Sequence, residues 1–137
     1  KLIKTTGPEM TRFFYSIGNA VKLIEFLIEK KKSHNNKIIV PKMKSLKIKD
    51  LLIEFCKKHR VKWKKVKKRE MDKDYETLIP QGQNYQTRLL NKLIGTVFIL
   101  DLKNNNDNFN KEVSSINAEK FSINEIKSII NNKPKFL

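Results

Sequence analysis

The sequence predicts an α/β fold. Stretches with apolar period two alternate with stretches of helical period, and turn-forming residues separate them. Residues 11–16 read as a short strand, and from about Asn19 the period changes. Ala20, Leu23, Ile24, Leu27 and Ile28 then recur at helical spacing, with Lys22, Glu25 and Glu29 on other faces. "EKKKSHNN" ends that helix, its lysines suiting the negative end of the dipole. "KIIVP", residues 37–41, is a brief buried strand stopped by proline. Ile48, Leu51, Leu52, Phe55 and Cys56 mark a second amphipathic helix ending near Arg60.

"VKWKKVK", residues 61–67, alternates apolar and basic residues, which predicts a half-buried strand with a lysine-rich outer face. Residues 68–92 read as mixed polar loop with a short helical turn. "GTVFILDL", residues 95–102, is the clearest strand, and residues 103–112 form a low-complexity loop. Ser122-Ile-Asn-Glu125 is a capping box, followed by a buried stripe of Ile126, Ile129 and Ile130.

A chain of 137 residues with 39% hydrophobic residues suits a single domain with a modest core. Lys1 is not methionine and Leu2-Ile3 resembles a strand already under way, so the chain is expected to begin within a longer protein. The net charge of +16 invites a nucleic-acid reading. Against it, only Arg12, Arg60, Arg69 and Arg88 among the 30 basic residues carry the planar fork that base and bidentate phosphate recognition favour. A single cysteine, Cys56, excludes an internal disulfide or a thiolate metal cluster, and His34 and His59 lack ligand spacing. No apolar run approaches the roughly 20 residues of a membrane-spanning helix, and the expected compartment is the cytoplasm. The four glycines form neither a GxGxxG nor a GxxxxGK[ST] phosphate loop. Composition and motif alone yield a basic α/β substrate or interaction lobe without a complete active site.

Three stretches then carry a resemblance: "GPEMTRFFYSIGNAVKLIEF", "IIVPKMKSLKIKDLL" and "DYETLIP", with the tail "SSINAEKFSINEIKSII". In this order they resemble the CapD-like polysaccharide-biosynthesis branch of the extended short-chain dehydrogenases, which includes UDP-N-acetylglucosamine 4,6-dehydratases. The resemblance implies the C-terminal substrate-binding lobe over residues 1–137. The Rossmann domain, with its NADP or NAD and its catalytic groups, would lie upstream. It implies a cytoplasmic, homo-oligomeric lyase or epimerase of nucleotide-sugars, with this segment inactive alone and holding no catalytic residue and no metal.

Arg12 matches the arginine that relatives place on the UDP diphosphate, where forked, charge-assisted donors suit a partly dry anion. Arg69 matches the first position of the family's Arg-Pro-Gly-Glu stretch, which here runs Arg69-Glu70-Met71-Asp72. The arginine and acidic end remain while the Pro-Gly turn is absent, so Asp72, like Thr11, is a secondary substrate contact. Relatives also carry acids where this chain has Gly18-Asn19. Two other readings stand beside this one: a basic nucleic-acid-binding module, and a catalytically silent homologous lobe acting in assembly.

Overall fold

The computed structural model describes residues 1–30, 34–101 and 111–131. Among the described residues the architecture is mixed α/β, with small sheets and three helices. Its elements are β1 (Leu2–Thr5), β2 (Thr11–Phe14), α1 (Ile17–Glu29), β3 (Lys37–Pro41), β4 (Lys44–Lys47), α2 (Ile48–His59) and β5 (Lys62–Lys65). They continue with β6 (Thr77–Ile79), β7 (Gln86–Asn91), β8 (Gly95–Asp101), β9 (Val113–Ser114) and α3 (Ile123–Asn131). The chain forms two compact units: Lys1–Phe13, Lys44–Glu76 and the stretch from Ser115 onward make one, Phe14–Met43 with Thr77–Ser114 the other.

The first unit is organised by α2. Its N-cap position is Lys47, whose side chain supplies no cap. The orphan amides of the first turn are satisfied from a distance: Ile48 N donates to Met10 O at 2.9 Å and Lys49 N to Pro8 O at 2.7 Å. The Gly7-Pro8 turn is thereby the cap of a helix forty residues downstream. Gly7 leaves room there for the Met10 side chain: a Cβ would lie 2.1–2.4 Å from it and force that flexible chain to move. At its other end α2 closes on Arg60 in the left-handed conformation, φ 52° and ψ 41°, whose amide reaches Cys56 O. Helix α3 packs on α2. Met10, Leu46 and Ile126 are this unit's buried apolar residues.

The expected apolar stripe of α2 is corrected at one turn. Phe55 is 37% exposed and stacks on His59 at 4.3 Å, whereas Glu54 is only 8% exposed and pairs with Lys57 at 2.9 Å. An i,i+3 lysine makes the buried carboxylate tolerable, and Phe55 shields itself on a neighbouring ring.

The second unit is a three-stranded antiparallel sheet, order β3-β8-β7, packed on α1. Leu23, Val97 and Ile99 form its core, with Leu27, Ile39, Leu90 and Ile94 against them. The α1 stripe divides: Leu23 is buried, but Ile24 and Ile28 of the expected stripe are exposed, Ile28 at 70%. Helix α1 begins at Ile17, earlier than expected, because Ser16 caps it by accepting from Asn19 N at 3.1 Å. This cap stands where acidic residues are missing from the first turn. The helix also ends before the lysine run, with no basic residue in its last turn; residues 31–33 of that run lie outside the described residues.

The stretch 68–92, expected to be loop, contains β6 and β7. Strand β7 pairs in register with β8, from Gln86↔Ile99 to Leu89↔Thr96, around a turn through Gly95 at φ 83°. The short strands β4 and β9 were likewise not legible in the pattern, since each is too brief to show a period. Of the low-complexity loop, residues 103–110 lie outside the described residues. The capping box is present: Glu125 N donates to Ser122 Oγ at 3.3 Å and Ser122 N to Glu125 Oε2 at 2.8 Å.

Candidate functional site

Strand β2 opens with Thr11 and Arg12, and the loop of residues 69–76 in the same unit folds around them. Thr11 N donates to Asp74 O at 2.9 Å, fixing the loop to the strand. Arg12 then spends its whole fork on that neighbourhood. Nη1 donates to Thr11 O at 2.7 Å and Asp74 O at 3.4 Å; Nη2 donates to Lys73 O at 2.6 Å and Met10 Sδ at 3.3 Å. Its Nε lies 3.5 Å from Glu76 Oε1. All five guanidinium donors therefore face protein atoms. Glu9 is not the partner of Arg12: it pairs with Lys47 at 3.1 Å and Lys49 at 3.7 Å.

Beneath this lies a polar node. Thr11 and Ser115 are buried, with their hydroxyl oxygens 2.8 Å apart. Ser115 Oγ donates to Thr11 O at 3.0 Å and accepts from Glu76 N at 2.9 Å. Its one proton being used, the Thr11 hydroxyl is the donor between them. Ser45 Oγ donates to Ser115 O at 2.7 Å, and Lys120 Nζ donates to Ser45 Oγ at 2.8 Å, to Ser115 O and to Ile116 O at 2.9 Å. Burial, then the charge of Lys47, lowers the Lys120 pKa. Sequence reasoning missed this node: a buried serine has no period or spacing that announces it.

Arg69 and Asp72 close their own turn. Asp72 N donates to Arg69 O at 3.1 Å and Arg69 N to Asp72 Oδ2 at 3.4 Å. Hydrogen bonding from Thr6, then from the Arg69 backbone, and the charges of Arg69 and Lys68 hold the Asp72 carboxyl below its ordinary pKa. The Arg69 side chain is exposed; its charge acts on the neighbouring Asp72 carboxylate, and its guanidinium is not engaged by a main-chain carbonyl as that of Arg12 is. The structure thus brings Thr11, Arg12, Arg69 and Asp72 onto one strand and the loop that wraps it. It assigns them different work: Thr11 is buried structure, Arg12 staples the loop, Asp72 holds a turn, and Arg69 presents an exposed fork.

A separate cleft of about 330 Å³ lies at α2 and α3, lined by Glu54, Lys57, Lys58, Lys127, Ile130 and Asn131. None of these residues belongs to the Arg12 network. Among the described residues, no group of three His, Cys, Asp or Glu side chains gathers to hold a metal ion. Nor do the glycines fit a dinucleotide: Gly7 is filled by Met10, Gly18 lies in α1, and Gly82 and Gly95 hold positive φ at turns. No helix of the described residues is long and apolar enough to cross a membrane.

Comparison with known proteins gives a family and a fold. The family described as polysaccharide biosynthesis protein matches residues 1–98, which include β1 to β7, Arg12 and the loop around it. The X-ray structure of Pen from Bacillus thuringiensis shares the fold, with a TM-score of 0.71 at 20% sequence identity. That likeness covers 94% of this chain and 40% of the Pen chain, so the present sequence spans well under half of that protein. No curated protein matches the sequence. With its family matched over most of its length, the chain belongs to the polysaccharide biosynthesis protein family.

Proposed function

We propose that this chain is the UDP-sugar-binding lobe of an NAD(P)-dependent nucleotide-sugar 4,6-dehydratase or epimerase serving surface-polysaccharide synthesis. The observation that carries the reading is the family match over residues 1–98, together with an exposed arginine fork, Arg69, on the loop held by Arg12. In this reading Arg69 and Arg12 clamp the diphosphate, Asp72 is a secondary contact, and Thr11, buried with its hydroxyl on Ser115, supports the strand beneath them instead of touching the substrate. Arg69 can engage an anion without releasing a main-chain carbonyl. Arg12 must first release the carbonyls of Lys73 or Asp74, so closure of the clamp is coupled to movement of the 73–76 loop.

The cofactor, NADP or NAD, would be bound by residues outside these 137, since the glycines present do not fit it. Hydride and proton transfer would reside there as well, which leaves this segment alone without turnover. The protein in this reading is cytoplasmic and homo-oligomeric.

Calorimetric titration of the full-length polypeptide with UDP tests the proposal. A hydrogen bond to a charged group is worth about 1.5–3 kcal/mol, so Arg69→Ala should weaken UDP by about tenfold or more. Arg12→Ala should weaken it too. UDP affinity unchanged in both variants would remove the diphosphate role. UDP binding without turnover of any UDP-sugar by the full polypeptide would favour a silent homologous lobe.

A further inference from the structure

The β1–β5 ribbon is a parallel pair in the register Leu2↔Lys62, Ile3↔Trp63, Lys4↔Lys64 and Thr5↔Lys65. Alternation along each strand sorts these residues into two faces. Ile3, Thr5, Trp63 and Lys65 lie on one face, the first three half-buried and Lys65 exposed at its end; Leu2, Lys4, Lys62 and Lys64 lie on the other and are all exposed. Three ammonium groups therefore stand on one flat patch, with Lys4 directly opposite Lys64 at a strand spacing of about 5 Å. Like charges so placed repel. Among the described residues, no acidic side chain pairs with Lys4, Lys62 or Lys64, although Glu9, Glu54, Asp74, Glu76, Glu119 and Glu125 of the same unit are each paired elsewhere.

A face of this kind is complementary to a flat polyanion. Single-stranded nucleic acid uses aromatic platforms within its basic groove, and Trp63 points to the opposite face. Duplex recognition favours arginine forks, and this face has none. An anionic lipid surface asks only for diffuse cationic charge at close range, and Leu2, 48% exposed within the patch, adds an apolar contact that headgroups accept. The geometry points to the lysine face of the β1–β5 ribbon as a docking surface for an anionic lipid bilayer.

The test is co-sedimentation of the full polypeptide with phosphatidylserine-containing vesicles, against vesicles of phosphatidylcholine alone, at physiological ionic strength. Each lysine near such a surface contributes about fivefold to partitioning, so Lys62→Gln/Lys64→Gln should reduce binding by about 25-fold. A control of equal charge change, Lys22→Gln/Lys92→Gln, should change it by less than about threefold, since neither residue belongs to the ribbon. The first variant is expected to melt no lower than the parent, because it loses a like-charge contact.

Binding confined to the phosphatidylserine vesicles and lost only in the ribbon variant supports the inference. No binding, or equal loss in both double variants, overturns it. Stronger binding of single-stranded DNA with the same dependence on Lys62 and Lys64 overturns it in favour of nucleic acid. Displacement from vesicles by millimolar inorganic phosphate at constant ionic strength overturns it in favour of a small-anion site.

Discussion

Arg12 Nη2 donates to the main-chain carbonyl of Lys73 at 2.6 Å. That bond, with those to Thr11 O and Asp74 O, makes the side chain a staple between β2 and the following loop. Arg12→Ala should therefore cost about 1 kcal/mol, since the part-buried Thr11 carbonyl loses a charged donor while those of Lys73 and Asp74 are exposed to water. Arg69→Ala should stay within about 0.5 kcal/mol, because its side chain is exposed and its one charge interaction, with Asp72, is screened by solvent. Urea unfolding of the two variants checks the contrast, and it separates lost folding from lost binding in any UDP experiment.

Ser115 offers the sharpest test of the buried node. Ser115→Ala leaves the amide of Glu76 without its acceptor and the Thr11 hydroxyl without its partner. A cost of about 1–3 kcal/mol follows. Thr11→Val should be less damaging in the Ser115→Ala background than alone, as expected of two members of one network. Additive losses in a double-mutant cycle would show that the two hydroxyls act independently.

The pH dependence of stability should pass through Glu125. Lys44 Nζ at 2.8 Å, then the amide and hydroxyl of Ser122, lower its carboxyl from 4.5 to about 2. A carboxylate depressed in the folded state contributes stability in full above its unfolded pKa. That contribution is lost as pH falls from about 4.5 toward 2. Glu125→Gln keeps acceptor geometry for the capping box and removes the charge, so it should flatten this acid limb. Asp72, also depressed, acts in the same direction. Thermal melts of parent and variant from neutral pH downward measure the difference.

Arg60 closes α2 with φ 52°, a conformation that costs an L-residue about 1–2 kcal/mol and glycine almost nothing. Glycine gives back part of that through its freer unfolded chain. The balance predicts that Arg60→Gly stabilises by about 0.5–1 kcal/mol, read as a shift in denaturation midpoint at constant slope.

The long elements were written into the chain. Residues of α1, α2 and α3 show helical period, β8 is a dense apolar run, and Ser122 and Glu125 form the box their spacing announces. Local chemistry suffices there, because the signal and the structure span the same few residues. The order of motifs likewise marked the family before any coordinate, since sequence similarity needs no geometry. Strands β4, β6 and β9 could not be read, having two to four residues each and no room for a period.

Only the tertiary structure decided how side chains divide between staple, cap and exposed fork. The cap of α2 comes from Pro8 and Met10, and the partners of Arg12 come from residues 73, 74 and 76. Those partners are separated from it by some sixty positions, and no local pattern encodes which carbonyl an arginine will meet. It also turned Phe55 out and Glu54 in, because burial is set by what the facing elements leave open. The sequence determined where the arginines stand in the chain; the packing of the 69–76 loop on β2 turned the Arg12 guanidinium onto main-chain carbonyls and left the Arg69 side chain exposed.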